Sequence, residues 1–145
     1  MGCDIHAYAE RKVSAGKWRQ IREEISEKKG TEYFYGDRFP IFRNYALFAL
    51  LANVRNYSAS IKPFDAPRGI PSDASAGYLD LVEGWGSDGH SHSYFTLAEL
   101  KKFRKEKCNQ SDADKETLDE IIKKLEMVKN DEDDKDIRFV FFFDN

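Results

Sequence analysis

The run Ile137-Arg138-Phe139-Val140-Phe141-Phe142-Phe143 (IRFVFFF, residues 137–143) decides how the rest of the chain is read. It is too short for a domain-spanning helix and too aromatic for a surface segment, so it predicts a strand covered by other elements. The acidic stretch NDEDDKD (residues 130–136) leads into it as a loop. Upstream, Leu118, Ile121, Ile122, Leu125 and Val128 recur at helical spacing and predict a helix over about 112–129. The opening decapeptide MGCDIHAYAE supplies a second strand, because Cys3, Ile5, Ala7 and Ala9 alternate with Asp4, His6, Tyr8 and Glu10. Ser14-Ala15-Gly16 then turns the chain into a return strand over 17–21, giving an antiparallel hairpin.

The middle of the chain is helical between loops. Asn44 can cap a helix whose apolar residues are Leu47, Phe48, Leu51 and Val54, ending between Asn53 and Tyr57. Residues 23–42 show no period and read as an ordered loop, and the three prolines of SASIKPFDAPRGIPSD (58–73) enforce an extended one. Asp73 or Ser75 can start a short helix through Leu79 and Val82. Thr96-Leu97-Ala98-Glu99 has the form of a capping box for a helix running to about Glu106. The expectation is a single α+β domain over residues 1–145: a small antiparallel sheet, including the N-terminal hairpin and the C-terminal strand, packed against about four helices.

Composition narrows the function classes. With 145 residues, 41% of them hydrophobic and 14% aromatic, the chain can bury a core without staples. A net charge of −3 argues against a general nucleic-acid binder, which needs a basic excess. Two cysteines, Cys3 and Cys108, are too few for a disulfide framework. The absence of an apolar leader or spanning run points to the cytoplasm and away from membranes. A homo-oligomer is left open.

All three histidines fall in two short polar stretches, at His6 in MGCDIH and at His90 and His92 in WGSDGHSHSYFT. On a strand, Asp4 and His6 share a face, which suits a common ligand; the alternative is the wet face of an edge strand. Asp88, His90 and His92 lie among Gly84, Gly86 and Gly89, and imidazole with carboxylate is a ligand set for zinc, manganese or iron; the alternative is a surface loop. The candidate metal ligands are therefore Asp4, His6, Asp88, His90 and His92, with Asp88 and His90 as candidate catalytic groups. A metal-free variant has His90 and Ser91 holding a ligand close to the N-terminus of the Thr96 helix. Arg43 and Arg68 are candidate phosphate clamps, Arg68 in a proline-stiffened loop where an ion pair with Asp65 or Asp73 is the alternative. Tyr8 and Trp85 complete the candidate ligand-binding set as aromatic surfaces. No nucleophile elbow, zinc signature or phosphate loop of the Walker type occurs.

MGCDIH, RNYALFALLANVRN, RGIPSDAS and WGSDGHSHSYFTLAEL, spread over roughly the first hundred residues, resemble a group of small proteins of bacteriophages and bacteria. The resemblance implies a phage or bacterial cytoplasmic setting and no particular chemistry. Asp4-Ile5-His6 is also similar to the opening metal motif of calcineurin-like phosphoesterases, without their further ligand motifs. The functional expectation is a site for a small phosphate-bearing, nucleotide-like molecule, with metal-assisted phosphoester hydrolysis if a divalent metal keeps an open position. Its alternatives are a phage protein that sequesters a host immune nucleotide signal, and one that inhibits a host protein through its surface, using the acidic 130–136 segment.

Overall fold

The computed structural model describes residues 2–13, 16–21, 39, 41, 43–57, 59–106 and 112–145, with the side chains of 112–114 excepted. Among these, strands β1 (Ile5–Val13), β2 (Lys17–Gln20), β3 (His90–Thr96) and β4 (Ile137–Phe143) form one antiparallel sheet of order β2-β1-β4-β3. Four helices accompany it: α1 (Tyr45–Ala52), α2 (Ala76–Trp85), α3 (Leu97–Glu106) and α4 (Asp112–Val128). This is the expected α+β architecture, hairpin and C-terminal strand included. The loop expected over 23–42 lies outside the described residues apart from Phe39 and Ile41, as does Cys108.

IRFVFFF is buried at all seven positions because β4 lies inside the sheet and both faces are covered. Phe139, Phe141 and Phe143 join the large core with Ala7, Ala9, Phe95 and residues of α1, α3 and α4. Val140 and Phe142 point the other way, into a smaller cluster with Tyr8, Tyr78, Leu81, Val82, Trp85 and Tyr94, which α2 closes. Alternation on a pleated strand sends neighbours to opposite faces, so a continuous apolar run requires two covers.

The same arrangement corrects the reading of β1 as a wet edge strand. β1 sits between β2 and β4, and His6, Tyr8 and Glu10 are buried beneath α2. Glu10 is opposite Arg138 on β4. Arg138 Nε donates to Glu10 Oε1 at 2.7 Å and its Nη1 to Asp73 Oδ1 at 3.0 Å, while the Ser75 N–H donates to Glu10 Oε2 at 2.7 Å. The guanidinium also lies 4.0 Å from the Trp18 ring centre. One buried ion pair thus ties two central strands to β2 and to the start of α2.

The helix ends follow their capping chemistry. Asn44 Oδ1 accepts from the Leu47 N–H at 3.1 Å, and Asn53, at φ 59°, closes α1 in the left-handed conformation that asparagine tolerates. Ser75 caps α2, which runs past the expected end to Trp85. Thr96 and Glu99 form the reciprocal capping box of α3, at 3.0 and 3.1 Å. The segment 90–96 just ahead of this helix, to which the sequence reading assigned no strand, is strand β3. Among the described residues, no helix is long and apolar enough to cross a membrane.

Candidate functional site

The start of β1, the end of β4 and the start of β3 meet at one end of the sheet, because β1 and β3 both run antiparallel to β4. Asp144, just beyond β4, clasps the first residues of the chain. Its N–H donates to the Asp4 carbonyl at 3.0 Å, and its Oδ1 accepts from the Asp4 N–H at 3.2 Å. Its other carboxylate oxygen lies 2.6 Å from His6 Nε2, with both side chains largely shielded from solvent. The His6 ring is further fixed by Trp85, at 4.4 Å between centroids, and by Phe142, stacked at 5.1 Å. An imidazole held this way by a carboxylate has its orientation set.

The second cluster is divided by a bulge. His90 pairs with Phe143 and Ser93 with Phe141, so three steps along β3 match two along β4. Ser91 absorbs the extra residue at φ 55°, a left-handed conformation that residues other than glycine rarely take. The consequence is that His92 shares the face of Phe142 and stacks on it at 5.2 Å, while His90 shares the face of Phe143. His90 bonds Ser91 Oγ at 3.0 Å and Asn145 Oδ1 at 3.1 Å. His92 Nε2 is buried and has no hydrogen-bond partner among the described residues. Burial, and then the nearby His90, push the His92 imidazole below its usual pKa.

His6, Trp85 and His92 are therefore gathered round Phe142, one aromatic ring separating the two imidazoles. The five candidate metal ligands are not gathered: Asp4 and His6 are engaged elsewhere, the bulge parts His90 from His92, and Asp88 is exposed on the turn Gly86–Asp88. Among the described residues, no group of three or more His, Cys, Asp or Glu side chains could hold a metal ion.

The arginines have internal partners. Arg43 binds Asp4 through both carboxylate oxygens, at 2.9 and 3.0 Å, and holds that carboxyl below its usual range. This pair is about half exposed, so exchanging it for another anion costs little. Arg68 forks onto Glu99 at 3.0 and 2.6 Å, bonds Asp65 at 3.1 Å and the Tyr94 carbonyl at 3.0 Å, and lies over Phe95. It anchors the proline-bounded loop to the start of α3 rather than facing a ligand. Tyr8 is a core residue, edge-on to Tyr78 at 6.0 Å, and Ser91 serves His90.

Sequence reasoning missed Asp144, Asn145 and Phe142. A signal for Asp144 was available: two terminal strands expected in one antiparallel sheet can bring a carboxylate just past the last strand beside the first residues. Comparison with protein-family models, curated proteins and solved structures finds no match to this chain.

Proposed function

We propose that this end of the sheet binds a small phosphate-bearing, nucleotide-like molecule directly through side chains, and that holding the molecule is its task. The observation that carries this reading is His92 Nε2, buried without a partner among the described residues, on the ring that also stacks His6. A buried imidazole nitrogen left unpaired is costly, and an anionic oxygen placed against it recovers that cost. Trp85, half-buried against His6, offers a planar surface, and Arg43 can leave Asp4 for a phosphate. In the phage setting that the resemblance implies, the ligand class is a host signalling nucleotide, and sequestration removes it.

The test is a panel of cyclic and linear nucleotides followed by thermal shift and calorimetry, then heat denaturation and chromatography of what is released. A binder raises its Tm by mass action and returns the ligand intact. Because the free His92 is held neutral and a bound phosphate favours its protonation, affinity should rise as pH falls through the region below about 6.5. Recovery of hydrolysed ligand would instead favour metal-free catalysis at this end of the sheet. If no nucleotide shifts the Tm and none is altered, the pocket reading is lost, and inhibition through the protein surface takes its place.

A further inference from the structure

At the bulge of β3, Ser91, His90 and Asn145 form a hydrogen-bonded chain. His90 Nδ1 lies 3.0 Å from Ser91 Oγ, and the other nitrogen of the ring lies 3.1 Å from Asn145 Oδ1. We propose that Ser91 is a nucleophile for acyl transfer, with His90 as its general base and Asn145 orienting His90, so that this edge of the sheet hydrolyses small carboxylic esters.

The direction of the hydrogen bonds is the one a general base needs. An amide oxygen only accepts, so in the neutral imidazole the proton sits on Nε2, facing Asn145. Nδ1 is then the bare nitrogen, and it accepts from the Ser91 hydroxyl. A nucleophile within reach of a base that a third group orients is the signature of covalent catalysis, and asparagine takes the third place in some cysteine proteases. The backbone adds a second, separate observation. Ser91 is held at φ 55°, strain of the kind that collects at functional sites, and nucleophilic serines of α/β-hydrolases sit on a strained turn that exposes their Oγ. Here the bulge makes the turn, and both His90 and Ser91 stay half-buried, open to a small ester from solvent.

In the reaction, Ser91 Oγ attacks the ester carbonyl carbon while its proton passes to His90 Nδ1. The C–O bond to the alcohol breaks, and His90 returns the proton to the leaving oxygen. Water, deprotonated by His90 in turn, attacks the acyl-serine, and that proton goes back to Ser91 Oγ as the carboxylic acid departs.

The experiment treats the wild-type protein with a fluorophosphonate, from which a nucleophilic serine displaces fluoride, and maps the adduct by peptide mass spectrometry; p-nitrophenyl acetate hydrolysis is followed in parallel. Neither probe is a nucleotide, so the outcome is independent of the binding reading above. Expected are an adduct at Ser91 and hydrolysis that falls about a hundred-fold or more in Ser91→Ala and in His90→Gln. Ser91→Gly, which takes a positive φ without strain and so keeps the fold, should be equally inactive. Asn145→Ala should slow both reactions, and Asn145→Asp, which keeps an acceptor for the Nε2 proton, should restore them. No adduct at Ser91, equal labelling of His90→Gln and wild type, or wild-type hydrolysis by Ser91→Gly would overturn the proposal, and equal losses in Asn145→Asp and Asn145→Ala would overturn the role of Asn145.

Discussion

His92 combines a cost to the fold with a use. Its ring stacks on Phe142, yet its Nε2 is buried and unpaired among the described residues, so the folded state carries a polar atom that water would have satisfied. Replacing it with an apolar ring of similar shape removes the unsatisfied group and keeps the stack. His92→Phe should therefore stabilise the protein by about 1 kcal/mol in denaturant unfolding near neutral pH. The same change should abolish nucleotide binding if the proposed function is right; a variant both more stable and still able to bind would remove His92 from the site. The pH dependence follows from the direction of its shift. A base whose folded pKa lies below its unfolded value adds stability above the unfolded value, about 6.5, and that stability is lost as pH falls through the folded one. Between those two values the wild type should lose stability on acidification faster than His92→Phe, measured as midpoints of denaturant curves.

At the scale of elements, strand pairing is fixed as much by a polar contact as by the aromatic run. Glu10 and Arg138 face each other across β1 and β4, essentially inaccessible to solvent, and reach Asp73 and Ser75 at the start of α2. Arg138→Met should cost about 3–5 kcal/mol, because it strands a buried carboxylate, whereas Arg138→Met with Glu10→Leu should recover most of that loss. Equal destabilisation by the single and double variants in equilibrium unfolding would show that the pair acts through its shape rather than its charge. Which elements were legible follows the same physics. Helix starts announced themselves through local side-chain chemistry at Asn44, Ser75 and the Thr96–Glu99 box, and β1 through plain alternation. What alternation could not say is that α2 covers the polar face of β1, since His6, Tyr8 and Glu10 look the same under a helix as under water. β3 was hidden for a different reason. HSHSYFT is a polar strand at the edge of the sheet, and a bulge at Ser91, a residue without glycine's preference for φ > 0, breaks its period. The site was half legible in consequence: the two histidine stretches were visible, and which histidine faces which side of the sheet was set by that bulge.

For the whole molecule, the strand order makes the fold depend on β4. β1 pairs with β2 in a local hairpin, but its other neighbour is β4, more than a hundred positions along the chain, and among the described residues β3 pairs only with β4. Without β4, what remains is a two-stranded hairpin and an isolated strand, and a lone hairpin is marginal in water. Both hydrophobic clusters would also lose their centre, since Phe139, Phe141 and Phe143 belong to one and Val140 and Phe142 to the other. Helices α1, α3 and α4 would then lose the sheet face on which their apolar sides pack, and helices of their length do not hold in water by propensity alone. A chain ending at Asp136 should therefore fail to fold, showing no cooperative transition in thermal or urea unfolding and dispersed NMR signals for none of its core. The 145-residue chain should fold slowly for its size, in the millisecond-to-second range, because its sheet closes through the non-local pairing of β1 and β3 with β4. Cooperative unfolding of the truncated chain, seen by circular dichroism, would mean that β4 lies on the fold rather than at its centre.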